Sequence, residues 1–312
     1  MKVIIDTDPG HDDALAIMFA ALSGGLDVLA LTTVAGNSGI TNVTRNARYV
    51  LRLIGREDIP IYSGAARPLR RELVKANVHG ESGLAGIDPT NPARLTGDAP
   101  ERIRGLVRAN PNEVTLITLG PLTNVARAIR RDPRTMRLVK RIVSMGGAIA
   151  VPGNKNRVAE FNCFVDPEAA DIAVRFPVEQ TLVPLDPCNR VKLALDDFRA
   201  VADPRLHAAL LSMIRPYISN TAEYEGVPAA LMYDPLTIFY ALRPEACSAE
   251  RMHIIVETDG AATRGMTVVD RRKIPDGAEP NVRVVSRIPV GRFREDFFAA
   301  LNALRRERRV VR

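Results

Sequence analysis

The chain reads as an α/β protein: an open, mostly parallel sheet with helices on both faces. Three observations predict this. Apolar strand-like runs alternate with helix-like runs from Lys2 to Pro184, and parallel strands need such crossovers. The stretches rich in Gly, Asp and Asn each follow a strand-like run, where ligands bind in sheets of this kind. The length, 312 residues, suits one large domain, and residues 1–312 are read as a single one.

The elements are argued in order. Lys2 to Ile5 is a short apolar strand, and Ala14 to Leu22 has the length and composition of a buried helix. Val28 to Val34 is the next strand and Ile40 to Leu53 the next helix. Glu113 to Leu119 (strand), Leu122 to Arg130 (helix) and Val139 to Met145 (strand) repeat the alternation. Pro167 to Val174 reads as a helix and Gln180 to Pro184 as a strand. Between them, Arg67 to Arg104 is rich in Gly, Pro, Asn and Asp and lacks periodicity. A long irregular excursion inside a domain is often a functional loop. A second Gly/Pro-rich connector spans Pro275 to Pro280. No internal repeat stands out.

Composition narrows the class. Hydrophobic residues make 46% and charged residues 25% of the chain, as in soluble globular proteins. No charged start leads into a long apolar run, so neither a signal peptide nor a membrane span is expected. Cys163, Cys188 and Cys247 are odd in number and far apart, without metal-ligand spacing. A reducing cytoplasm is the expected compartment. The net charge of +7 raises the question of a nucleic-acid partner. The arginines are spread out, and no aromatic residues interleave with the one dense run, Arg305 to Arg309. That run reads as a solvated last helical turn, where cations suit the dipole. No nucleic-acid or membrane partner is expected.

The stretch "DTDPGHDDA", Asp6 to Ala14, carries four aspartates where a strand turns into a helix. Pro9 and Gly10 make the turn. Asp12 alone could be a helix-start residue favoured by the dipole. Four carboxylates at one strand end need a cation, or large upward shifts in pKa. Oxygen ligands without cysteine favour a hard cation, and Ca²⁺ suits mixed carboxylate and carbonyl ligation better than Mg²⁺. A structural cation stays open. So does a phosphotransferase, in which Asp-x-Asp follows a first strand; the doubled aspartate of "DDA" is foreign to that pattern, and no distal lysine accompanies it.

Two further constellations lie downstream. In "GNKNRVAEFNCFVDPEAA", Glu160 and Asn162 are two apart and would share a side of an extended segment. A carboxylate beside an amide suits paired hydroxyls, as on a sugar. Asp166 with Pro167 reads as an Asx turn opening a helix. In "MYDPLTIFYAL", Asp234 precedes an apolar helix; capping explains it, and so does a further metal ligand.

Together these segments resemble the inosine–uridine-preferring nucleoside hydrolase family. The resemblance rests on "IDTDPGHDDALAI", "VAGN", "HGESGLAG", "LGPLTNVA", "MGGA", "GNKNRVAEFNCFVDPEAA", "YDP" and "TVVDRR", in order along nearly the whole chain. It implies the Rossmann-like nucleoside hydrolase fold, and hydrolysis of the N-glycosidic bond of ribonucleosides to ribose and free base, in nucleoside salvage, through an oxocarbenium-like transition state. It implies a Ca²⁺ held by Asp8, Asp13, Asp234 and the carbonyl of Leu119. Asp8 would be the general base and Asp12 the 2′-hydroxyl partner. Asn162 would take the 3′-hydroxyl and Glu160 the 5′-hydroxyl. Asn154 and Met145 would close over the sugar, and Asn37 would support the metal. A homodimer or homotetramer is also implied.

One position departs from the family's pattern. Many members carry His just before the last metal-binding Asp, assigned to protonate the leaving base; here it is Tyr233. A tyrosine is a weak acid near neutral pH. Three readings stand open: Tyr233 stacks on the base, it donates a proton itself, or His79 or Tyr224 activates the base. Of the other histidines, His207 and His253 are read as structural, and His11 is discounted as a variable position inside the motif. The alternatives to a common ribonucleoside hydrolase are a hydrolase of a modified N-riboside and a nucleoside- or ribose-binding protein without turnover.

Overall fold

The computed structural model describes residues 1–87, 95–272, 274 and 277–310, the last six by their backbone alone. The middle of the 67–104 excursion and part of the 275–280 connector, with the side chains of the arginine-rich tail, lie outside the described residues.

The first half alternates as the apolar pattern demands. It runs β1 (Lys2–Thr7), α1 (His11–Leu22), β2 (Asp27–Thr33), α2 (Ile40–Ile54), β3 (Ile61–Ser63), α3 (Ala99–Ala109), β4 (Thr115–Thr118) and α4 (Thr123–Arg131). Then come α5 (Pro133–Met136), β5 (Arg141–Met145), α6 (Phe161–Val165), α7 (Pro167–Val174), β6 (Gln180–Val183) and α8 (Leu185–Cys188). The second half adds β7 (Lys192–Leu193), α9 (Pro204–Glu225), β8 (Ala230–Leu231), α10 (Tyr233–Leu242), β9 (Ser248–Met252), β10 (Ile255–Val256), β11 (Thr267–Val268), β12 (Val282–Arg287) and α11 (Val290–Val310).

Eight strands form the main sheet in the order β3-β2-β1-β4-β5-β6-β12-β9. All neighbours are parallel except β12 and β9. The mostly parallel sheet expected from the alternation is therefore present. Two apolar layers cover it. One takes side chains from α1, α2, α9, α10 and α11; the other from α3, α4, α5 and α7.

Two expected boundaries move, for one reason. The first strand runs on to Thr7 because Asp6 pairs with Thr32 of β2 and Thr118 of β4. The helix after it begins at His11 rather than Ala14. The Asp13 carboxylate accepts the N–H groups of Gly10 (3.0 Å) and Asp8 (3.3 Å), so the polar residues themselves build its first turn. All of α1 is buried. A helix apolar on every side after its first turn can lie only between layers.

The sheet order reverses between β1 and β4, the switch point at which crevices open in such sheets. Asp8 follows β1, Asn37 lies beyond β2, Leu119 follows β4 and Met145 ends β5. The topology gathers these four residues at one end of the sheet.

Candidate active site

A cavity of about 220 Å³ opens there. That is below the roughly 300 Å³ at which drug-sized sites begin, so it fits one small molecule. Its lining includes Asp12, Asn37, Leu119, Met145, Asn154 and Glu160, and also Asn162, His79, Tyr224, Tyr233 and Asp234. Every site residue expected from the sequence is thus on the wall, apart from Asp8 and Asp13. Those two are closed off from solvent, at 1% and 0% exposure.

The floor is acidic. Oxygens of Asp12, Asp13 and Asp234 lie within 4.8 Å of one another, all three buried. Asp8 stands beside this triple, linked through Asn37. The Asn37 backbone N–H donates to Asp8 Oδ2 (2.7 Å), and its side-chain amide donates to Asp13 Oδ2 (3.0 Å) and the Asp8 carbonyl (3.1 Å). Asp8 Oδ1 is buried without a hydrogen bond among the described residues. Gly36 and Gly120 press against this carboxylate so closely that a Cβ at either would collide with it.

Burial first, and the charge of Asp13 second, push the Asp8 and Asp12 carboxyls well above the ordinary range. Burial followed by repulsion from Asp13, Asp12 and Asp8 does the same to Asp234. Bonds from Thr7 and Gly10 oppose the rise at Asp13. Among the described residues the only ion-pair partner of these four is His79, whose Nε2 is 3.7 Å from Asp12 Oδ1, and burial holds that imidazole well below its usual pKa. Three converging buried carboxylates, with the orphaned Asp8 oxygen beside them, fit a hard cation. The Leu119 carbonyl accepts from Asn162 Nδ2 (2.7 Å) and keeps a second lone pair.

The sugar-side pair is arranged differently from the expectation. Glu160 and Asn162 do not share a strand: Glu160 caps α6 and Asn162 lies in its first turn. The Glu160 carboxylate accepts N–H groups from Asn162 (2.8 Å), Gly147 (3.1 Å) and Cys163 (3.2 Å). Asp166 ends α6 and caps α7, which keeps α6 to a single turn. The two side chains still meet in the cavity, because a cap and the second residue after it face the same end of a helix. Asn154 Oδ1 accepts the Phe161 N–H (2.9 Å), tying the preceding loop to α6. Asp234 is likewise inside the first turn of α10 rather than before it.

The opposite wall holds residues that local patterns miss. His11 is buried, and its ring stacks on Tyr217 (4.8 Å between centroids) and lies against His79. His11 Nε2 is 3.0 Å from the Ala85 carbonyl, which can only accept, so Nε2 carries the proton. Burial lowers His11 to about 4, so the ring is neutral and its Nδ1 is bare. His11 Nδ1 and His79 Nδ1 are 3.1 Å apart. The His11 backbone N–H donates to His79 Nδ1 (3.2 Å), so that nitrogen accepts and the one proton of the neutral His79 ring sits on Nε2, facing Asp12 Oδ1. His11 does not line the cavity but braces His79 and Tyr217, which do. Glu225, at the end of α9, lines the same cavity. Tyr233 donates its hydroxyl to Asn189 Oδ1 (3.0 Å). No short motif flags Glu225 or Asn189, because they reach the site through the fold.

The family model described as inosine–uridine-preferring nucleoside hydrolase matches residues 3–295. The pyrimidine-specific ribonucleoside hydrolase RihA of Citrobacter koseri is 41% identical over 293 residues, 91% of this chain and 93% of the relative. RihA of an Escherichia coli strain is 39% identical over the same span. Among solved structures, a plant nucleoside hydrolase, the PpNRh1 enzyme, superposes with a TM-score of 0.89 at 34% identity, covering 97% of this chain and 99% of that one. A purine-preferring ribonucleoside hydrolase from Gardnerella vaginalis gives 0.89 at 26% identity, with the same coverage. Among the described residues no helix is long and apolar enough to cross a membrane. The chain belongs to the inosine–uridine-preferring nucleoside hydrolase family and is an N-glycosidase acting on ribonucleosides.

Proposed function

We propose that the chain is a Ca²⁺-dependent hydrolase that prefers pyrimidine ribonucleosides and serves nucleoside salvage. The observation that carries the cation is the set of four buried carboxylates with one orphaned oxygen. The pyrimidine preference leans on the RihA relatives, which are pyrimidine-specific and 39–41% identical.

Asp8, Asp13, Asp234 and the Leu119 carbonyl would hold the ion. Bound there, Ca²⁺ would fix ribose hydroxyls and make a neighbouring water more acidic. Asp8 then takes a proton from the attacking water. Its carboxyl sits in a dry setting that raises its basicity, and Asn37, Gly36 and Gly120 hold it in one orientation. Asp12 binds the 2′-hydroxyl, Asn162 the 3′-hydroxyl and Glu160 the 5′-hydroxyl. Met145 and Asn154 close around the sugar, while His79, Tyr224 and Tyr233 border the base. Fixing ribose and water in line supplies several kcal/mol of the barrier reduction.

The test is release of ribose from uridine, cytidine, inosine and adenosine. Turnover should be fastest on the pyrimidines; no release from any nucleoside would sink this reading. Asp8→Ala should reduce kcat by about 10³-fold or more, as the loss of a general base and its positioning predicts, with the fold intact by circular dichroism. Full activity in that variant would remove Asp8 from its role.

A further inference from the structure

The departing base must gain a proton, and the two obvious donors are poorly suited to give it. The Tyr233 hydroxyl spends its one proton on Asn189 Oδ1, and burial makes the phenol a weaker acid than usual. His79 accepts the His11 backbone N–H at Nδ1 and carries its one proton on Nε2, but burial keeps the ring neutral, and a neutral imidazole is a far weaker acid than a carboxyl.

Glu225 is different. It is the last residue of α9, a helix of 22 residues closed by Gly226 in the left-handed conformation. An acidic residue there faces the negative end of the helix dipole, against local preference, and the last turn holds no basic residue. Such a local conflict marks a functional position. Glu225 lines the cavity with Tyr233, whose hydroxyl favours the carboxylate form of the Glu225 side chain. It also lines, with Tyr224, Tyr233 and Asn189, an outer groove on the far side of the same wall. Burial raises its carboxyl to about 7, and the acidic Asp12 lies close enough to feel its charge.

We propose that Glu225 is the acid that protonates the leaving base, with Tyr233 and Asn189 as its positioning residues. The proposal rests on the hydrolase reading above. As the bond from C1′ to the base nitrogen breaks, its electron pair stays on the base. The carboxyl proton passes to a nitrogen or exocyclic oxygen of that base. Water forms the new bond to C1′ and gives its proton to Asp8. The Tyr233 hydroxyl then turns from Asn189 to the new Glu225 carboxylate and stabilises it. Solvent in the outer groove returns the proton to Glu225.

The experiment compares uridine with 4-nitrophenyl β-D-ribofuranoside, whose phenolate leaves without protonation. Glu225→Gln keeps the shape and removes the acid. It should lower kcat on uridine about 10²-fold or more, the usual scale of general acid catalysis, while the nitrophenyl riboside stays within a few-fold of wild type. Tyr233→Phe should show the same selectivity with a smaller loss. Equal losses of Glu225→Gln on both substrates, or undiminished uridine turnover, would overturn the proposal while the hydrolase reading stood. A wild type that releases ribose from no nucleoside would overturn both.

Discussion

Asp8 owes its position to two absent side chains. Gly36 and Gly120 lie flush against its carboxylate, and neither has a positive φ, so the requirement at both is space rather than backbone freedom. Gly120→Ala should push that carboxylate aside. A displacement near 1 Å costs on the order of 10²-fold in rate, so kcat should fall by about that factor while the protein still folds; steady-state kinetics with a melting curve checks both. At this scale much of the site was legible. Asp8, Asp12 and Asp13 crowd into one stretch, and such crowding has few explanations. Glu160 and Asn162 line the cavity, but on a local geometry other than the expected one: a one-turn helix and an extended segment look alike when Asp166 and Pro167 follow so soon. Glu225, Asn189 and the meaning of His11 were not legible. His11 acquires its role from His79, 68 residues away, and Tyr233 bonds a residue 44 positions back.

The elements were read well where apolar alternation is strong, and their ends were misplaced where polar side chains replace water as backbone partners. The start of α1 at His11 is the clearest case, since the Asp13 carboxylate does the capping. The same helix rests on an aromatic cluster. Phe19 meets Phe297 edge-on at 5.5 Å between centroids, and Phe297 stacks on Phe293 at 5.6 Å. All three are buried. Phe297→Ala should lower the unfolding free energy by about 3–5 kcal/mol through lost transfer and a residual cavity, measured by urea denaturation. Because this contact braces α1 from its far side, the variant should lose stability well before it loses affinity for substrate.

Across the whole molecule, the proposed cation is what would balance the charge. Four carboxylates are withdrawn from water at one end of the sheet, with a weakly basic imidazole as their only ionic partner among the described residues. A cation that binds only the folded chain adds stability by mass action, about 2.7 kcal/mol at a hundred times its dissociation constant. Chelation should therefore lower the melting temperature by roughly 5 °C in a chain of this size, and added Ca²⁺ should restore it. An unchanged melting curve after exhaustive chelation would argue against a cation at this site.

The burial of α1 has a consequence for how such a protein can change. Its first turn holds Asp12 and Asp13, and the rest of it is core, so substitutions that retune the acids also disturb folding. The opposite wall is free of that constraint. Tyr224 is 52% exposed, near the end of α9 rather than in the core. Divergence toward new bases has its cheapest route there. The acidic half is fixed by the core it belongs to, while the exposed rim of the opposite wall can change as the scaffold holds still.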